Sequence, residues 1–285
     1  THGDLGFGIM ITIGSLFSGI GGFELGLERA IPNSSTIWQV EKDKYCQSIL
    51  KKHWPKAKLY NDVTTIQAKE LEPPTIVCGG FPCQDLSNAG KMEGIHGKKS
   101  GLWWEMHRII GNLRRKPRVV VLENVANILH LGGLDVLGSL AEIGYDSEWT
   151  IIRASDFGAN HRRARWFSIC YLSDANSQSK PSRPIFPKTL ERDASHPTIQ
   201  NMEKQSINTI SMESKRRFKC RDSQKNGPYP KNHWAKGTTE PPFCSVDDGI
   251  SKRVARLKAL GNAIVPQCSQ WIGEQIWKSG LLEEV

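Results

Sequence analysis

The sequence predicts an α/β domain built on a largely parallel sheet, and three observations carry that reading. Over residues 10–172, short runs rich in Val, Ile and aromatics alternate with stretches that place Leu, Ile, Trp or Met three and four residues apart. The run VVVL at 119–122 is apolar throughout, as a central parallel strand covered on both faces requires. The first β-like run leads through Gly19, Gly21 and Gly22 directly into a helical pattern, a strand–turn–helix join in which glycine supplies positive φ and close backbone approach.

In chain order, strands are predicted over residues 9–13, 36–40, 75–78, 118–122, 149–153 and 165–172, each bounded by Gly, Pro or Asp. Helices are predicted between them over 24–30, 42–52, 102–114 and 134–143. After Leu172 the texture changes. Residues 173–250 hold 19 apolar side chains, about 24% against 38% for the whole chain, which is too few for a core of their own. The segment carries 13 Lys and Arg against 9 Asp and Glu, and Phe186, Phe218, Tyr229, Trp234 and Phe243 offer anchors that disordered tracts lack. A small, loop-rich second domain is expected there. From Ser251 the amphipathic pattern returns, and a helix over 267–279 starts after Pro266 and stops before Gly280. Residues 251–285 are therefore expected to pack back on 10–172 as one domain. Residues 1–9 read as a cloning remnant or disordered, with Met10 as the initiator.

The 285 residues suffice for a substantial core, and no apolar run approaches the ~20 residues of a membrane-spanning helix. A soluble protein with no membrane partner is expected. The formal charge of +9 favours a polyanionic partner such as nucleic acid. Seven cysteines with no C-x-x-C pair fit neither a disulfide framework nor a zinc module, so a reducing, cytoplasmic setting and no metal are expected. No repeat of 20–50 residues is visible, which removes solenoids and propellers.

Five stretches could carry chemistry. In GSLFSGIGGFELGLERA, 14–30, the glycines and the helix N-terminus suit a polar ligand, although a tight βα turn alone would explain them. The third glycine of G-x-G-x-x-G is missing, which disfavours a nicotinamide. Glu41, about 20 positions on, stands where such folds hydrogen-bond a ribose, and this points to a nucleoside-containing cofactor. Asp62 could accept from an adenine amine, though a lone Asp at a turn is more often a turn residue. In GGFPCQDLSNAGK, 79–91, Cys83 occupies a Gly-rich loop just beyond a buried strand, a nucleophile's position; an isolated cysteine is more often a plain thiol, which suits Cys78. Glu123, ending the most apolar strand, is placed for a raised pKa and proton donation, with a solvated or capping Glu as the plain alternative. Arg163 and Arg165 alternate at strand period and so share one face, suited to a phosphate or a base carbonyl. KALGNAIVPQ, 258–267, reads as a Gly-Asn turn that closes over a cofactor or is a plain loop.

In this order the motifs resemble those of the DNA (cytosine-5)-methyltransferases of bacterial and phage type. LFSGIGGFELGLE looks like the cofactor loop, PCQ with Ser87 the catalytic loop, ENV the catalytic glutamate motif, RRARWF the paired arginines and GNAIVPQ the C-terminal asparagine motif. One departure stands out: His161 occupies the position where the family usually has Gln, two residues before the first paired arginine. The resemblance implies a Rossmann-like methyltransferase domain binding S-adenosyl-L-methionine. Phe17, Gly19, Gly21, Gly22, Glu41, Asp62, Pro82, Leu102, Asn262 and Ala263 would serve the cofactor. It further implies Cys83 as nucleophile on C6 of a flipped-out cytosine, Glu123 as donor to N3, Arg165 on O2, Arg163 supporting the loop or a phosphate, and no metal.

Residues 173–250 correspond in position to the family's target recognition domain. Gln84, Ser87, Arg216 and Arg217 are its candidate contacts to double-stranded DNA, with a solvated loop as an equal alternative for KRRFKCR. A monomer is expected, with a cognate restriction endonuclease encoded nearby as a further partner. Two rival readings share these motifs: a catalytically impaired DNA-binding relative, and a tRNA cytosine-5 methyltransferase.

Overall fold

The computed structural model describes residues 10–82, 101–172, 181–186 and 250–283. Seven strands form one sheet: β1 Ile11–Leu16, β2 Ser34–Val40, β3 Lys58–Tyr60, β4 Ile76–Gly79, β5 Val119–Val125, β6 Tyr145–Arg153 and β7 Ala164–Leu172, in the order β3-β2-β1-β4-β5-β7-β6. The first five pair in parallel, and β7 runs antiparallel between β5 and β6. The predicted mixed, mostly parallel sheet is thus present. Six described helices accompany it: α1 Gly22–Ala30, α2 Lys44–His53, α3 Gly101–Asn112, α4 Gly133–Glu142, α5 Ile250–Asn262 and α6 Pro266–Lys278.

Alternation along the strands divides the interior in two. Ile13, Ile76, Cys78, Val119, Val121, Phe167 and Ile169 join the α1 and α6 side chains Phe23, Leu27, Trp271, Ile272 and Ile276 in one cluster. Leu16, Val77, Val120, Leu122, Trp166 and Cys170 join Trp103, Met106, Ile110, Val136 and Leu140 of α3 and α4 in the other. Because both faces are covered, Val119, Val120, Val121 and Leu122 are all 0% exposed, and this is why the sequence there is uninterrupted apolar.

Several elements differ from expectation. The β-like stretch before Asp62 is the short strand β3, paired through Trp38–Lys58, Gln39–Leu59 and Val40–Tyr60. β5 extends to Val125 because Asn124 and Val125 still pair with Trp166 and Arg165 of β7. Gly261 and Asn262 are the last residues of a helix, α5, not a free turn; Ala263–Val265 then connect to α6, which opens on Pro266 as predicted. Of the proposed second domain, 181–186 and Ile250, the first residue of α5, are described. Ile185 joins the α1–α6 cluster, its amide donates to Glu148 Oε2 at 3.1 Å, and the Phe186 ring stacks on Trp271 at 5.9 Å.

Candidate active site

The strand order reverses between β1 and β4, and ligands of open α/β sheets bind beyond the carboxyl ends of the strands at such a switch point. Here a cleft of about 810 Å³ opens there, lined among others by Phe17, Gly19, Glu41, Asp62, Gly80, Phe81, Pro82, Leu102, Glu123, Arg163, Arg165 and Asn262. Its volume lies within the range of small-molecule sites.

One wall is built from the turn after β1. Phe17 and Gly19 both adopt left-handed backbone, φ 56° and 57°, and Gly19 has open space where a side chain would project. The turn is tied to the next strand: Ser18 N–H donates to the Val40 carbonyl at 3.1 Å and Gly19 N–H to Glu41 Oε2 at 2.8 Å. The other Glu41 oxygen accepts from Asp43 N–H at 2.7 Å. Each carboxylate oxygen keeps a further lone pair for a ligand hydroxyl. Asp62 caps the 3-10 turn after β3, accepting from the amide and hydroxyl of Thr64 at 3.0 and 2.8 Å, while Lys42 Nζ lies 2.9 Å from its other oxygen. Lys42 and the Thr64 donors hold its carboxyl down to about 2. Beneath the turn, the buried Glu24 carboxylate accepts from Gln39 Nε2 at 3.0 Å, and burial pushes its pKa up.

The opposite wall carries the acid. Glu123 sits near the end of β5, 8% exposed, with Oε1 3.0 Å from Arg165 Nε. Loss of solvation pushes its pKa up to about 7, against the lowering pull of Arg165 and Arg163. At neutral pH such a group exists in both forms and can give or take a proton. A side chain at position 80 would come within 2.8 Å of Glu123 Oε2, so glycine there leaves room for the carboxyl. Asn124 Nδ2 donates to the Phe81 carbonyl at 3.1 Å and so fixes the residue before Pro82 to β5.

The structure brings Phe17, Gly19, Glu41, Asp62, Pro82, Leu102, Asn262, Glu123, Arg163 and Arg165 together around one cleft. It places three others behind it. A side chain on Gly21 would strike the Trp54 ring, one on Gly22 the Ile264 carbonyl, and the Ala263 carbonyl accepts from Arg163 Nη2 at 2.7 Å. Arg163 precedes β7 with φ 32°, so it reaches the cleft from a left-handed turn, not from the strand face that alternation predicted. His161 is exposed and does not line the cleft. Cys83, Gln84, Ser87, Arg216 and Arg217 lie outside the described residues.

Sequence reasoning missed Lys42, Asn124, Lys258 and Glu24. Asn124 in ENV, Glu24 in LFSGIGGFELGLE and Lys258 in KALGNAIVPQ stand inside the motifs quoted above without being singled out there, and Lys42 left no signal. No group of His, Cys, Asp and Glu suited to a metal ion occurs among the described residues. Four described cysteines are buried and free; burial pushes Cys46 and Cys268 to about 12 and Cys170 to about 11, and Cys78 upward as well. None of the four is an activated thiol.

A mixed seven-stranded sheet, with a carboxylate tied to the β1 turn on one wall of its switch-point cleft and a buried acid paired to arginine on the other, defines an open α/β protein with a ligand-sized cleft at the strand ends. More narrowly, the chain belongs to the C-5 cytosine-specific DNA methylase family, whose model matches residues 11–241. It is 33% identical to the Type II methyltransferase M.HhaI of Haemophilus parahaemolyticus over 180 residues, 62% of this chain and 52% of that protein. To the Type II methyltransferase M2.BsuMI of Bacillus subtilis it is 28% identical over 307 positions, 92% of this chain and 74% of that one. The match to M.HhaI thus spans about half of that relative's length. Among solved structures, the Entamoeba histolytica methyltransferase EhMeth superposes with a TM-score of 0.52 at 21% identity, over 60% of this chain and 55% of that one, a likeness of fold.

Proposed function

We propose that the protein is a DNA (cytosine-5)-methyltransferase that uses S-adenosyl-L-methionine and a covalent Cys83 adduct. The observation that carries this reading is Glu123: a nearly buried acid, raised to about 7, held by Arg165 in the same cleft as Glu41 and Asp62. The cleft suits the cofactor chemically. Phe17 offers a ring face for adenine, Glu41 a carboxylate for ribose hydroxyls, and Gly19 an open approach. Asp62, its Oδ1 taken by Thr64, keeps a lone pair on Oδ2 beside Lys42 and would accept from the adenine amine. When bound, the cofactor supplies an electrophilic methyl group.

The remaining chemistry belongs to the chain and the base. Cytosine C5 is a poor nucleophile, so the Cys83 thiolate adds to C6 and the ring electrons move toward N3, where Glu123 delivers a proton. Arg165 holds the base through O2 and keeps Glu123 oriented. The resulting enamine carbon C5 would take the methyl group as the methyl–sulfonium bond breaks and its electron pair stays on sulfur, leaving S-adenosylhomocysteine. A water molecule then removes the C5 proton, the C6–S bond breaks, the electron pair returns to the Cys83 sulfur, and N3 returns its proton to Glu123. Cys83 is bonded directly to Pro82, a lining residue. The target base must leave the duplex to reach such a cleft, at a cost of a few kcal/mol. Residues 173–250, with their excess of Lys and Arg, are assigned to reading the DNA around it.

Expression in a methylation-free bacterial host beside Cys83→Ala, followed by bisulfite sequencing of host DNA, tests this reading. Cytosines protected within one short motif, and lost in the variant, are expected. Unprotected DNA with methylated host tRNA would transfer the activity to RNA, and neither would leave a DNA-binding relative.

A further inference from the structure

The last four carbonyls of a helix lack intrahelical partners. Where α5 ends, one side chain takes a carbonyl inside the helix and one just past it: Arg163 Nη1 donates to Gly261 O and Nη2 to Ala263 O, each at 2.7 Å. Between them lies Asn262, which lines the cleft together with Lys258 and Ala259 of the same helix. Ile264, after Ala263, lies behind the cleft wall: its carbonyl meets the position a Gly22 side chain would occupy, and its Cδ1 lies 3.6 Å from where one on Gly80 would stand. Arg163 spends unfavourable backbone on this, with φ 32° in a non-glycine residue. These bonds take one N–H of each Nη and fix the plane of the guanidinium against the connection.

We propose that Arg163 is a positioning residue that clamps the Gly261–Ile264 segment between the β1 turn and β4, and thereby shapes the cofactor cleft, leaving base contact to Arg165. The inference rests on the proposed cofactor reading. Arg165, whose Nε is on Glu123, works on the proton; Arg163 works on the chain that returns from the far end of the sequence. A bidentate charged clamp has a positive charge at the negative end of α5, which adds to its strength.

The test compares Arg163→Ala, Arg163→Lys and Arg165→Ala with the parent protein by calorimetric titration with S-adenosylhomocysteine, amide hydrogen exchange over 261–265, and kcat at saturating cofactor. For Arg163→Ala the Kd should rise at least about tenfold, as loss of charged hydrogen bonds predicts. Exchange over 261–265 should quicken; kcat should fall as well, because the Arg163 charge also bears on Glu123, so Kd and exchange decide the clamp. Arg163→Lys keeps the charge but only one of the two bonds, so it should fall between; it also serves if the alanine variant does not fold. Arg165→Ala should lower kcat and leave Kd within about threefold. Unchanged Kd and exchange in Arg163→Ala, with weaker DNA binding or lower kcat, would overturn the clamp. A parent protein that does not bind S-adenosylhomocysteine would refute the cofactor reading instead, while exchange still decides the clamp.

Discussion

Glu123 owes its proton affinity to where β5 ends. Three residues earlier the strand is sealed at 0% exposure, and at 123 the chain has only begun to emerge, so the carboxyl is stripped of water before it reaches the cleft. Arg165 at 3.0 Å offsets part of that cost without cancelling it, and the pKa stands near 7 against 4.5 for a free glutamate. The folded state therefore binds this proton more tightly than the unfolded chain, and stability attached to it is present below about 4.5 and lost as pH rises through about 7. Glu123→Gln does not titrate. Its stability relative to the parent should climb between pH 5 and 8 by up to about 3 kcal/mol, the equivalent of the shift, in urea titrations at fixed ionic strength. A flat difference would mean that Glu123 ionises like a surface carboxylate. The sequence pointed to this acid, because a Glu at the end of an uninterrupted apolar run starts from a buried position, but a solvated or capping Glu fitted the same letters and burial decided between them. The role of Arg163 was not readable: strand period predicts faces only within a strand, and this residue stands one position before β7 in a left-handed turn.

Glycines show the same limit for packed elements. Six of the seven strands and five of the six described helices were legible from periodicity and punctuation, but the purpose of the glycines was not, because a glycine spared for a ligand and one spared for a neighbouring helix look alike in sequence. Gly19 faces the cleft, whereas Gly22 and Gly26 meet the connection and the start of α6, and Gly273 of α6 meets Ala30. Ser269 Oγ donates to the Gly22 carbonyl at 2.7 Å across this seam. A methyl at position 26 would strike Ser269 Oγ, with the backbone of Pro266 and Gln270 close behind, so neither side can yield by a rotamer change alone. Gly26→Ala should cost about 1–3 kcal/mol despite the helix propensity it gains, measured by thermal or chemical unfolding. A neutral or stabilised variant would show that α1 and α6 slide apart freely. α5 escaped prediction although the amphipathic pattern returns at Ser251, because Gly261-Asn262 reads as a turn and only the Pro266 start of α6 is sharply marked.

Across the chain, the last described segment completes what the first begins. α6 and the residues after it put Trp271, Ile272, Ile276, Leu281 and Leu282 into the cluster under β1, β4 and β5, all at 6% exposure or less. Burying each such side chain contributes about 1.5–3 kcal/mol, so the five together account for roughly 7–15 kcal/mol, as much as the whole net stability of a typical domain. The same segment supplies Asn262 and Lys258 to the cleft, which makes completion of the core and completion of the site a single event. A chain ending at residue 249 should therefore lack a cooperative unfolding transition and accumulate in the insoluble fraction, and co-expression of 250–285 as a separate chain should restore soluble protein, because the apolar face of α6 covers the exposed cluster as the two pieces fold together. Calorimetry on the purified pair would show one transition. A cooperative transition in the truncated chain alone would mean that the sheet, with α3 and α4 on its other face, suffices to fold, and that the C-terminal segment serves the site only.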